Sequence, residues 1–165
     1  MSDPFNERLE ATGVDFEIIP CDPGLADTAA FCAAYDYALE DSANTIIVAG
    51  KVEPPVYVAC VVLATTRLDV NRVVRRRLGV RKASFAGADE TRVLTGQEIG
   101  GVTPIGLPPE LPMWVDARVM ERRRIILGGG SRARKVLAPP GLLTALGAEV
   151  VQGLARDTEE GSRAG

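Results

Sequence analysis

Between residues 95 and 108 the chain reads Thr-Gly-Gln-Glu-Ile-Gly-Gly-Val-Thr-Pro-Ile-Gly-Leu-Pro, a run with four glycines and two prolines. No helix or central strand can be built from it. Glycine admits φ > 0 and lets another group approach the backbone closely, while Pro104 and Pro108 fix φ and withhold donors. Apolar, strand-like segments lie on either side, so the run must be a shaped loop between two elements of a sheet. Two uses fit such a loop. It is a tight connection, or it is a cradle whose amide N–H groups meet the oxygens of a ligand.

Composition narrows the chemistry. The chain contains no histidine, which removes Ser-His-Asp and Cys-His nucleophile pairs, HExxH zinc sites and imidazole proton shuttles. With 165 residues and 46% hydrophobic side chains one core is affordable, and a single domain is expected. No apolar run reaches the length of a membrane span, and the polar start Met1–Glu10 is unlike a signal peptide, so a cytoplasmic protein with no membrane partner is expected. Cys21, Cys32 and Cys60 are widely spaced and lack partners of ligand type, which predicts reduced, buried thiols and no metal.

Net charge is only −3, yet charge is sorted along the chain. Residues 1–66 carry 2 basic and 11 acidic side chains, residues 67–135 carry 15 and 7, and residues 136–165 carry 2 and 4. The basic block flanks the glycine run and includes Arg75, Arg76 and Arg77. Arginines so grouped suit a phosphate backbone with counterion release, and equally suit a solvated helix face. Few aromatics accompany them, so base stacking is not indicated.

Periodicity predicts a mixed sheet flanked by helices, an α/β (α+β) fold. Strands are expected at Phe16–Ile19, Thr45–Ala49, Val56–Ala64, Ala83–Phe85, Met113–Asp116, Arg124–Leu127 and Ala148–Val151, the second and third forming a hairpin. Helices are expected at Ala29–Leu39 capped by Asp27-Thr28, after Asp69 with Val70, Val73, Val74 and Leu78 inward and Gly79 as terminator, at Asp89–Leu94, and at Pro140–Leu146. Residues 1–154 make the domain and 155–165 read as a polar, disordered tail. Ile46, Ile47, Val58 and Val62 read as core or as the lining of a small pocket.

The glycine run, with Asn44-Thr45-Ile46-Ile47-Val48 before it and Leu127-Gly128-Gly129-Gly130-Ser131-Arg132 after it, resembles the YbaK/prolyl-tRNA synthetase-associated domain family over about Phe16–Leu154. The most specific element is Thr-Gly-x-x-x-Gly-Gly-x-x-Pro-x-Gly at 95–106. The resemblance implies a YbaK-type fold and hydrolysis of mischarged aminoacyl-tRNA, with a synthetase as a further partner and no cofactor. In many active relatives a lysine stands where this chain has Asn44, near the ester and terminal adenosine. Asparagine brings an amide but no cation. Lys51, some 20 Å along the strand, is a poor substitute. By this resemblance Asn44, Gly100 and Gly101 are the expected catalytic group, the glycines binding an oxyanion or positioning water. Thr45, Thr103, Pro104, Asp116, Gly128, Gly129, Ser131 and Arg132 are expected around the substrate. Relatives often carry Ser at Gly128 and Lys at Ser131, whereas Arg132 keeps the family's basic character. Asp116 either orients a substrate amine or caps the helical turn after it. Arg75, Arg76 and Arg77 are expected on the tRNA backbone. Departures at Asn44 and Gly128 argue for one alternative, a tRNA- or synthetase-binding module without catalysis; binding or hydrolysis of another small acyl or nucleotide ligand in the same pocket is a second.

Overall fold

The computed structural model describes residues 4–97 and 102–157. A short helix α1 (Pro4–Glu10) leads to β1 (Glu17–Pro20) and α2 (Thr28–Tyr35). β2 (Ala43–Gly50) and β3 (Val56–Leu63) form the expected hairpin, paired antiparallel from Ala43 opposite Leu63 to Gly50 opposite Val56. After β4 (Thr66–Leu68) comes a wide helical turn, Val70–Val74, continuing as α3 (Arg75–Leu78). Asp69 caps it, its Oδ1 accepting the Arg72 N–H at 3.1 Å, and Gly79 ends it at φ 72°. β5 (Ala83–Phe85) and α4 (Ala88–Thr95) precede the glycine run; β6 (Met113–Asp116), α5 (Ala117–Met120), β7 (Ile125–Gly128), β8 (Arg134–Ala138), α6 (Gly141–Ala145), β9 (Glu149–Val151) and β10 (Ala155–Asp157) follow it.

The strands make a mixed five-stranded sheet in the order β5-β2-β3-β6-β9, an antiparallel sheet β1-β8-β7 and a pair β10-β4. β3 explains why the larger sheet is covered on both sides. Its Ala59 and Val61 face one apolar cluster with Ile47, Val115, Leu127 and Leu142, while Val58, Cys60 and Val62 face a second with Val74, Trp114 and Leu154. An unbroken apolar run is what a strand buried on both faces requires. Each fully buried valine there contributes about 1.5–3 kcal/mol. A third cluster, with Phe31, Ile126 and Leu137, packs α2 on the smaller sheet. All three cysteines are free and buried. Burial pushes the Cys60 thiol up to about 12, so it stays protonated and inert.

Several boundaries move. The helix expected at Ala29–Leu39 ends at Tyr35, because Asp36 takes the left-handed conformation at φ 60°, which a short polar side chain tolerates. Asp27 precedes that helix without capping it by its side chain. The segment read as a tail from residue 155 begins as β10, which pairs with β4, Ala155 opposite Leu68. Residues 158–165 lie outside the described part. α1, β4 and β8 have no counterpart among the expected elements.

Candidate functional site

The two larger sheets diverge at β2, and the site lies in the divergence. One edge of β2 is bonded to β3 along its length, but the other pairs with β5 only over Val48–Gly50. The Ala86 N–H still reaches the Ile47 carbonyl at 2.9 Å, after which the chain leaves for α4. At the other end β7 approaches through a parallel contact between Ser42 and Ile126. Backbone groups alternate between the two edges of a strand, so the stretch between these contacts presents the N–H and C=O of Thr45 on an open edge. A cavity of about 340 Å³ opens there, lined by Asn44, Thr45, Ile46 and Ile47 of β2, Gly128 of β7, Lys135 of β8, Thr28, Ala86 and Val102.

Asn44 and Thr45 are thus at the cavity, as expected. The Thr28 hydroxyl donates to Asn44 Oδ1 at 2.9 Å, which fixes the side chain and leaves Nδ2 as its donor group. Thr45 Oγ1 is buried and has no hydrogen-bond partner among the described residues. An unpaired buried hydroxyl costs about 1–3 kcal/mol, a penalty that a bound acceptor or water removes. Ile46 and Ile47 line the cavity, whereas Val58 and Val62 belong to the core beneath α3.

Lys135 is the residue that the sequence reading missed. β8 places it opposite Gly128 on one side and Ile19 on the other, and it is 7% exposed. Its ammonium stands 5.7 Å from the centre of the Phe31 ring, and among the described residues no carboxylate is within ion-pairing distance of it. Burial pushes its pKa below the ordinary lysine value of 10.5; the nearby Arg132 charge pushes the same way, and Cys21 and Asp27 push back. The cation that Asn44 lacks therefore enters the same cavity from another strand. The available signal was weak: β8 reads Arg134-Lys135-Val136-Leu137-Ala138, two basic residues running into an apolar stretch.

Gly100 and Gly101 lie outside the described residues, but the stem that carries them is defined. Buried Gln97 accepts the Thr103 N–H at Oε1 (2.9 Å) and donates from Nε2 to the Ile105 carbonyl (3.4 Å). Thr103 Oγ1 in turn accepts the Ile105 N–H at 3.3 Å. Thr103 and Pro104 are both buried, so they serve as the clamp of the loop, and Val102 is the stem residue that reaches the cavity.

The turn from β7 to β8 explains the triple glycine. A Cβ on Gly129 would lie 2.5 Å from the Arg134 carbonyl oxygen, so only glycine lets the two backbones meet. Arg134 Nε donates to the Gly129 carbonyl at 2.6 Å. Ser131 is exposed, its Oγ accepting the Ala133 N–H. Arg132 bridges the turn to the rim of the cavity, donating to the Pro23 carbonyl at 3.0 Å and to Asp27 at 3.4 Å.

Asp116 and the arginine triplet are placed elsewhere. Asp116 is fully buried at the end of β6, and its Oδ1 accepts the N–H groups of Leu154 (3.1 Å) and Ala155 (3.4 Å) instead of capping α5. Burial raises its pKa, with the bonds from Ala155 and Leu154 and the Arg118 charge opposing. Arg75 is folded back on the Asn71 and Val80 carbonyls, and Arg77 pairs with Glu149 and lies 4.8 Å from the Trp114 ring centre. Arg76 is exposed. Among the described residues no group of three or more Cys, Asp or Glu is gathered as a metal site would require, and no helix is long and apolar enough to cross a membrane.

Against known proteins, the model of the family described as aminoacyl-tRNA editing domain matches residues 22–146. The solved structure of a protein described as hypothetical protein APE2540 superposes with a TM-score of 0.82 at 25% identity, covering 93% of this chain and 100% of that one. A candidate trans-editing enzyme for prolyl-tRNA synthetase superposes with a TM-score of 0.77 at 23% identity, covering 95% of this chain and 99% of that one.

Proposed function

The chain belongs to the aminoacyl-tRNA editing domain family, and from that premise we propose that it hydrolyses the ester of mischarged aminoacyl-tRNA in the cavity between β2 and the β7–β8 turn. The observation that carries the reading is the convergence of the buried Lys135, an open strand edge at Thr45 and the Asn44 amide on one small space. The ester carbonyl oxygen lies toward Lys135 and the Thr45 N–H, with Asn44 Nδ2 as a further donor. Water adds to the carbonyl carbon, the negative charge moves onto the carbonyl oxygen, and donors fixed in a dry cavity stabilise that charge without reorganising. Collapse breaks the bond to the ribose oxygen, which leaves with a proton derived from the water. Positioning of the water is the role that the resemblance gives to the amides of Gly100 and Gly101, and it stays part of this proposal.

A volume of about 340 Å³ lies at the small end of ligand cavities. It supports a small amino acid at the end of the tRNA, and the trans-editing role assigned to one structural neighbour for prolyl-tRNA synthetase makes tRNA for proline the first choice. The need is energetic. A synthetase pocket rejects a side chain smaller by a methylene with only about 1–3 kcal/mol, so a second, hydrolytic step supplies the remaining selectivity.

The test is deacylation of tRNA for proline carrying alanine or cysteine, with correctly charged prolyl-tRNA as control. The reading predicts turnover of a small-residue ester that falls in Asn44→Ala. Retained tRNA affinity without turnover on any ester would replace it with the non-catalytic binding module.

A further inference from the structure

A second concave surface lies beside the cavity and has no part in the chemistry above. It is a groove of about 580 Å³ lined by β4, the Asp69–Arg72 turn, β5 and β10. Phe85 stands in it at 59% exposure, an aromatic ring left in solvent on a strand whose neighbour Ala83 is packed inward. Around it are Arg67, Arg72 and Arg156. Arg67 and Arg156 are directly opposite each other in the β4–β10 pair, an arrangement of like charges that destabilises a sheet. Among the described residues none of these three guanidiniums is in an ion pair. The carboxylate in the groove, Asp69, accepts the Arg72 N–H as a helix cap, and Asp157 next to Arg156 is taken by Arg118. Among the described residues three arginines and one carboxylate, Asp69, thus stand around an exposed ring, an excess of positive charge.

We infer that this groove binds the single-stranded end of an RNA, with a base stacked on Phe85 and phosphates between the facing arginines. The inference rests on the reading of the neighbouring cavity as an aminoacyl-ester site. Phosphate oxygens neutralise the Arg67–Arg156 repulsion, and a ring with a free face offers stacking to any base. Position fits as well. Phe85 lines the groove and Ala86, the next residue, lines the cavity; successive residues face opposite sides of a strand, so an RNA end passes from one to the other around the edge of β5. A strand lying along β5 delivers its terminal ester past Ala86 to the open edge at Thr45. The arginine triplet of α3, two of whose members are tied to the protein, is not the principal phosphate contact.

The experiment measures binding of a short, uncharged-end, single-stranded RNA by fluorescence anisotropy across a salt series, with the full-length chain and the variants Phe85→Ser and Arg67→Ser/Arg156→Ser. Loss of one stacked base weakens affinity roughly 5- to 100-fold in Phe85→Ser. Removal of two phosphate contacts lowers the slope of log Kd against log salt by about 1.4. Melting without RNA serves as the folding control: the double variant melts at the wild-type temperature or above it, since a like-charge pair is removed. Hydrolysis of an aminoacyl-adenosine that is too short to reach the groove is unchanged in both variants. RNA affinity unchanged in both variants, or dependence on Arg75–Arg77 in their place, overturns the groove. So does loss of binding to anionic vesicles with RNA binding unaffected. Absence of any ester hydrolysis together with groove-dependent RNA binding refutes the deacylase reading and leaves the groove standing.

Discussion

Replacing Lys135 by methionine separates the two things that a buried lysine does. The side chain is 7% exposed and lines the cavity with Thr45 and Asn44, so the substitution keeps its length and apolar stem while deleting the charge. Removing one preorganised stabiliser of a developing oxyanion typically costs about 10²–10³ in rate, or about 2.7–4 kcal/mol, and that is the loss expected in single-turnover deacylation. Stability moves the other way. Burial holds the Lys135 pKa below 10.5, so the charged form is disfavoured in the fold relative to the unfolded chain. Between the lowered pKa and 10.5 the unfolded state binds more protons, and stability therefore rises with pH through that window in the wild type. Lys135→Met abolishes this rise and melts at or above the wild-type temperature at neutral pH; a chain of this size shifts by about 2–4 °C per kcal/mol. Lys135→Arg keeps a charge at all accessible pH and moves the alkaline loss of rate upward. A rate within twofold of wild type in Lys135→Met, or a drop in melting temperature that accounts for the lost activity, would refute the assignment.

Thr45→Val, nearly isosteric, removes a buried hydroxyl that has no partner among the described residues. It is expected to leave melting unchanged or raise it, and to lower deacylation about 10-fold through the lost contact to substrate or water, as measured by kcat/KM. Gly129→Ala forces a Cβ to within 2.5 Å of the Arg134 carbonyl and is expected to destabilise by at least about 1–3 kcal/mol, seen as a lower urea midpoint. Asp116→Ala strands the Leu154 and Ala155 N–H groups at about 1–3 kcal/mol each; denaturation should show the loss, while kcat per folded molecule is unaffected.

The parts of the fold that were legible in the sequence are those with a single dominant cause. The β2–β3 hairpin follows from two long β-branched runs, and the α3 region from Asp69, four apolar residues at helical spacing and Gly79. Strands whose own residues are largely polar or charged were not legible. β8 opens with two basic residues and becomes a strand because β1 and β7 bond to both its edges. β10 looks like polar tail until β4 pairs with it. The same reason hid Lys135, whose burial comes from the strands on either side and from Phe31 of α2 rather than from its own neighbours in sequence. Asn44 and Thr45, named from the family resemblance, line the cavity because the open edge lies within β2 itself. Nor were the contacts of the arginine triplet legible, since only the fold shows that Arg75 bonds the Asn71 carbonyl, that Arg77 pairs with Glu149 and that Phe85 is not covered.

The most direct measurement is a crystal structure with an alanyl-adenosine analogue whose ester is replaced by a non-hydrolysable amide. The account predicts the ligand carbonyl oxygen within hydrogen-bond distance of the Thr45 N–H and of Lys135 Nζ, with its methyl group toward Ile46 and Ile47. A ligand seated away from β2, for instance in the groove between Tyr57 and Leu111, with the Thr45 edge still open, would contradict it.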